Sequence, residues 1–264
     1  MENETLIRLS VFIGLFALFA VIETLLPRRA RVETRKRRWF ANWGLSILDT
    51  LTINLMAWVL PFLAVGAAVD AATNGWGLFN NIALPSTLEI IAAMLILDFA
   101  IWFQHLITHK IPILWRLHRV HHADRDMDVT TAIRFHPVEI ALSMTLKIGM
   151  VYLLGPAAIA VILFEIILNG SALFNHANIR LSPRVDAAVR LILVTPDMHR
   201  VHHSIHRREH DSNYGFSLSI WDRMFGTYVA QPEDGHDDMI IGLQWQDERP
   251  AKLTWSLKLP FINK

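Results

Sequence analysis

The chain alternates between apolar runs long enough to cross a bilayer and polar segments that carry most of its charge. Residues 5–27 are apolar apart from Arg8, Glu23 and a few small polar positions, close to the ~20 residues a helix needs to span the hydrocarbon core. A second run, 44–69, has length to spare and contains Pro61, which predicts a tilted or kinked span. It leaves into residues 70–85, a Gly- and Asn-containing loop without Lys or Arg. The third run, 86–106, delivers His105 and His109 at its end. Residues 138–173 are too long for one helix and divide at Gly155-Pro156, so they predict a helical hairpin with arms of about seventeen residues that need not fully cross. Lys147 and Glu165 fall at nearly equal distances from that turn, and an ion pair is expected because either charge alone would be costly in lipid. From His176 onward the chain is polar and offers no further span. The predicted fold is all-α and integral to the membrane, with about three full transmembrane helices plus a helical hairpin, four to five spans in all, and a cytosolic helical cap. Within this single membrane domain, 1–94 holds the N-terminal spans and a basic linker, 95–228 the histidine-rich region, and 229–264 a cytosolic C-terminal tail.

Composition supports the membrane reading, since 53% hydrophobic residues is more than an ordinary soluble domain carries. A net charge of +1 points to no global partner, but its distribution is informative. Arg28, Arg29, Arg31, Arg35, Lys36, Arg37 and Arg38 crowd into one short segment opposed only by Glu33. Directly after an apolar run, such a cluster reads as a juxtamembrane anchor and not as a nucleic-acid site. The positive-inside rule puts it in the cytoplasm and the N-terminus outside, with Trp39 and Trp43 at the interface. Because the basic residues follow the first run, the run reads as a retained span and not as a cleaved signal peptide. The expected location is multi-pass, in a bacterial inner membrane. The absence of cysteine removes disulfides, thiolate ligation and iron–sulfur chemistry, leaving nitrogen and oxygen to hold any metal.

Thirteen histidines are present, and eight form three tight groups: His105 with His109, then His118-Arg-Val-His121-His122, and the same pentapeptide again at His199, His202 and His203. Pro112, and later Thr195-Pro196-Asp197, are helix starts, so each pentapeptide is expected on a short helix with its three imidazoles facing one way. Clustered imidazoles repel when protonated and are poorly hydrated when neutral unless a cation gathers them, and eight exceed the four that one zinc takes, which argues for two ions. His206 and His210 are expected near the site or at the surface, and His236 at the surface. Asp98 lies two turns before His105, roughly 10 Å deeper, and reads either as a paired buried carboxylate or as a group behind the ligands or along a substrate channel.

Together, Asp98, His105 and His109, the two HRVHH boxes, Asn175-His176, Asn213-Tyr214-Gly215, Trp221-Asp222-Arg223 and Phe225-Gly226-Thr227-Tyr228 resemble the membrane fatty acid hydroxylase and sterol desaturase superfamily over about residues 95–228. The resemblance implies a non-haem di-iron oxygenase with ten histidine ligands, adding His136 and His176 to the eight, and with Asn175, Asn178 and Asn213 beside the ligands or the channel. It implies O2-dependent hydroxylation or desaturation of a C–H bond in a membrane lipid, with two Fe ions that zinc can replace in purified protein. Electrons must come from a cytochrome b5, ferredoxin or reductase type of donor, because no dinucleotide fingerprint is present. A membrane-bound zinc-dependent hydrolase is the competing enzyme class, but His105-Leu-Ile-Thr-His109 lacks the glutamate of HExxH. A non-enzymatic metal-binding membrane protein would not need fixed triplets.

Overall fold

The computed structural model describes residues 3–262 and contains, among them, helices and no strand. Five helical segments are long and apolar enough to cross a membrane. The first is α1 (Glu4–Leu25), followed by α2 (Arg35–Val59) and the shorter α3 (Ala64–Asn74). Then come α4 (Ser86–Lys110), α5 (Pro112–His122), α6 (Pro137–Leu154), α7 (Ala158–His176), α8 (Pro183–Val189) and α9 (Pro196–His202). The second apolar run is thus two helices separated at residues 60–63, because proline at 61 removes a helical donor and restricts the residue before it. The basic cluster also differs from a free linker. Arg35, Lys36, Arg37 and Arg38 form the first turn of α2.

Helices α4, α6 and α7 share a core of Ala93, Leu97, Ile101, Leu154, Ala160 and Phe164, while Ala64, Ala67 and Ala68 let α3 lie close on Val151 and Val161. Side chains on the opposite faces, such as Leu18, Leu55, Trp58, Leu95 and Leu146, remain exposed, an apolar surface suited to lipid and not to water. The hairpin turns where predicted. Gly155 adopts φ 60°, and a Cβ there would come within 2.3 Å of the Trp76 carbonyl. The loop after α3 crosses this turn, and the Leu78 and Phe79 amides cap the Leu153 and Leu154 carbonyls at 3.0 and 2.7 Å, satisfying acceptors left at the end of α6. Lys147 Nζ lies 2.8 Å from Glu165 Oε1, and the other carboxylate oxygen of Glu165 meets Arg8.

One polar knot fastens the N-terminal helices to the cap. Arg38 is buried and grips Asp124 with Nε and Nη2 at 2.7 and 2.8 Å, while its Nη1 lies 2.6 Å from Asp128. Burial alone would raise the Asp124 carboxyl, but the Arg38 guanidinium holds it down at about 2, as expected for a desolvated bidentate pair. Asn42 joins the knot by donating to Thr130 and accepting from Arg134.

Candidate metal centre

Nine imidazoles from four helices converge above the spans. His105 and His109 come from the last turns of α4, His118, His121 and His122 from α5, His176 from the end of α7, and His199 and His202 from α9 with His203 just beyond it. They form two groups whose ligand atoms lie within 4.8 Å of one another: His105, His109, His118, His122 and His202 in one, His121, His176, His199 and His203 in the other. All nine are buried. The two identical pentapeptides play exchanged parts. On α5 the i, i+4 pair His118 and His122 joins the first group and His121 turns to the second, whereas on the second box His199 and His203 join the second group and His202 the first. The expectation that each triplet faces one way is therefore corrected: neighbouring helical positions diverge by about 100° around the axis, and each box straddles two centres.

Hydrogen bonds fix which nitrogen is free. His105 Nδ1 faces the Tyr214 carbonyl at 2.7 Å, His176 Nδ1 the Ala172 carbonyl at 2.7 Å, His202 Nδ1 the Ser212 carbonyl at 2.6 Å and His121 Nδ1 the Arg134 carbonyl at 3.2 Å. His118 Nδ1 meets Glu139 Oε1 at 2.6 Å. Each carbonyl or carboxylate can only accept, so these Nδ1 atoms donate and each Nε2 carries a lone pair. Those lone pairs face one another: His105 and His118 Nε2 are 3.0 Å apart, and His176 Nε2 is 3.1 Å from both His121 and His199 Nε2. With no proton between them this is repulsive, and it is the spacing of two nitrogens that share an ion at about 2.1 Å. Both ring nitrogens of His109, His122 and His203 have no hydrogen-bond partner among the described residues, a costly state for buried polar atoms unless a cation is present. Burial, reinforced by neighbouring imidazoles, drives His121, His122, His199, His202 and His203 well below the usual imidazole range, so they stay neutral and able to ligate. The donor set therefore fits two metal ions.

His136 stands apart from both groups. Its Nδ1 accepts from the Val138 amide at 3.2 Å and caps α6, while Nε2 lies 3.3 Å from the Leu257 carbonyl. The following proline starts a helix whose free amides draw the ring back onto the chain, which corrects its place among ten ligands. Asp98 accepts from Trp221 Nε1 at 2.8 Å, the paired-carboxylate arrangement. Asn175 Nδ2 donates to the Phe216 carbonyl, and Asn178 holds the backbone of Arg29. Asn213, at φ 51°, bridges Met198 and Val229. The three asparagines position backbone near the ligands and Asp98 holds the Trp221 indole, and none of the four lines the cavity that ends at His105 and His118. His206 pairs with Asp234 at the surface, and His210 stacks on Trp115. His236, expected at the surface, is half-buried near Asp197 and Arg200, and burial lowers it to about 4.

Two carboxylates carry more of the site than their sequence positions suggest. Glu139 lies inside an apolar stretch, so only an acid within a predicted span could have flagged it. Asp222 accepts from the Tyr214 and Gly215 amides, Trp102 Nε1 and the Thr227 hydroxyl at 2.7–3.0 Å. It thereby sets the loop that presents the Tyr214 carbonyl to His105.

Residues 90–227, the segment that supplies all nine converging imidazoles, match the model of the fatty acid hydroxylase family. The chain belongs to that family. The ornithine lipid hydroxylase OlsE of Rhizobium tropici is 26% identical over 88% of this chain and 70% of its own. Alkylglycerol monooxygenases of Xenopus tropicalis and Homo sapiens are 32% and 33% identical over 66% and 54% of this chain. The matched parts are 39% and 31% of those two proteins, so the chain spans well under half of their length. No solved structure matches the chain.

Proposed function

We propose that this fatty acid hydroxylase family member is a non-haem di-iron enzyme that oxidises a C–H bond of a membrane lipid with O2. The observation that carries the reading is the pair of adjacent, buried, all-imidazole groups at the end of a cavity running into the spans. His105, His109, His118, His122 and His202 would hold one ion and His121, His176, His199 and His203 the other. Two bound iron ions supply activation of O2 for attack on an unactivated C–H bond. Neutral imidazoles suit that task because they leave the centre with high positive charge. The carbonyls of Tyr214, Ala172 and Ser212 and the Glu139 carboxylate fix the tautomer and aim of their histidines. Zinc is the expected substitute in purified protein.

Whether hydroxylation or desaturation follows depends on where the substrate carbon is held. The hydroxylase and monooxygenase names of the relatives favour hydroxylation. Electrons come from an external donor of the cytochrome b5, ferredoxin or reductase type. The segment Arg28–Arg38 packs against Asp124, Asp126 and Asp237 on the histidine side, and the positive-inside rule makes that side cytoplasmic, in an inner membrane for a bacterial source. The test is O2 consumption by iron-loaded protein in lipid with a competent donor, read together with lipidomics for a mass gain of one oxygen or a loss of two hydrogens. No lipid-dependent uptake with any lipid class would overturn the assignment.

A further inference from the structure

The cavity of about 170 Å³ that reaches His105 and His118 is not lined as a hydrocarbon tail requires. Its apolar wall is ordinary, with Ile101, Leu168 and Phe216. The α6 wall carries Glu139, Ser143 and Lys147 at successive i+4 positions, and Gln104 and Asn169 face the same space from α4 and α7. Polar side chains inside a span are expensive and are kept where they meet a partner. Glu139 has one in His118 and Ser143 donates to Gln104 at 3.3 Å. Among the described residues Lys147 meets one acceptor, Glu165, with three N–H donors to offer. Asn169, exposed on α7, makes no hydrogen bond among the described residues and also borders a smaller cavity beside Arg8 and Glu165.

Resting on the reading that this cavity receives the lipid, we infer that the substrate is a neutral lipid bearing an acceptor oxygen, a hydroxyl, ester or amide, that Lys147 and Asn169 anchor. The charges around the anchor, away from the metal centre, disfavour an anion there. Glu165 is met by Lys147 and Arg8, and Arg8 also by Glu4, so the two cations already face two carboxylates. An added carboxylate or phosphate would leave a net negative charge in the span. The spare Lys147 and Asn169 N–H groups ask for oxygen, not for charge. Lys147 lies eight residues along α6 from Glu139, about 12 Å. That places the anchored oxygen about nine or ten staggered chain bonds from the carbon presented to His118. Lys147 and Asn169 are positioning residues that set which carbon reaches the metals.

The test is binding, which does not depend on turnover. Radiolabelled hexadecanol, hexadecanamide, hexadecanoate and hexadecane are titrated into protein in neutral phosphatidylcholine nanodiscs, with wild type, Lys147→Met, Lys147→Arg and Asn169→Leu. Hexadecanol and hexadecanamide are expected to bind about tenfold more tightly than hexadecane. Asn169→Leu loses no hydrogen bond within the protein, so it keeps the fold and should reduce that preference, while Lys147→Met abolishes it and Lys147→Arg restores part. Equal binding of hexadecane, or a preference untouched by Asn169→Leu, overturns the inference; tightest binding of hexadecanoate overturns its neutral-lipid claim. Preferential binding without O2 uptake would sink the oxygenase reading alone.

Discussion

His118 Nδ1 lies 2.6 Å from Glu139 Oε1, so a carboxylate at the start of a membrane helix aims an imidazole of the five-histidine group. Removing it should leave every ligand in place and still weaken the site. Glu139→Ala is expected to lower metal affinity about 10- to 100-fold, the usual cost of losing such a partner, and Glu139→Gln by less. Competition with a chelator of known affinity measures both.

Ligands and near-ligands should separate cleanly. His202→Ala and His121→Ala remove one imidazole from different groups, and each should cut bound metal by about one ion per chain and abolish oxidation. His136→Ala should keep both ions and cost about 1 kcal/mol through its lost helix cap. Elemental analysis beside thermal unfolding reads the contrast, and loss of metal from His136→Ala would overturn the two-group assignment.

The metal-free protein should be acid-labile in a defined window. Imidazoles such as His121, His199 and His203 are driven down by burial in the folded state, whereas the unfolded chain binds protons below about 6.5. The unfolded state then holds more protons, so stability is insensitive to pH above that value and falls as pH drops through it. Urea midpoints of chelator-treated protein between pH 8 and 5 give the slope, and flat midpoints would contradict it.

Arg38 holds Asp124 and Asp128 where no water reaches. Arg38→Met leaves these buried carboxylates unopposed, and destabilisation of about 3–5 kcal/mol is expected. Limited proteolysis should show cleavage near residues 124–131 before the spans are touched.

Lys147→Met and Glu165→Gln should each destabilise more than half as much as the pair combined, because the double variant strands neither of the two and Arg8 keeps Glu4. A double-mutant cycle of unfolding midpoints in detergent decides this, and strict additivity would mean that the 2.8 Å contact carries no coupling.

Much of the architecture could be read from hydrophobic pattern alone, since apolar run length and the Gly155-Pro156 interruption specify spans and turn through local rules. The third run and the hairpin appear as α4, α6 and α7 within a few residues of their expected ends. What stayed hidden depends on partners distant in the chain. Arg38 looks like one more member of a basic anchor until Asp124 and Asp128 arrive from beyond α5. Helical spacing keeps each i, i+4 pair together and turns His121 and His202 aside, but which group each member joins depends on how α5 and α9 face each other. His136 stands outside both groups, and a histidine before proline looks the same as ligand and as helix cap. Glu139 carries no signal in the sequence beyond being an acid inside an apolar stretch, the same signal that Glu165 carries.

The exchanged roles of the two boxes impose an order on assembly. When synthesis has passed α5, the chain already owns four of the five imidazoles of the first group, all but His202, yet only His121 of the second. His176 follows with the hairpin, and the remaining donors wait for α9. A ribosome-bound chain of about that length can offer one nearly complete binding pocket and one that barely exists. If the two groups hold ions, the second can fill only after α9 delivers His199 and His203, and the first gains its fifth imidazole, His202, at the same point.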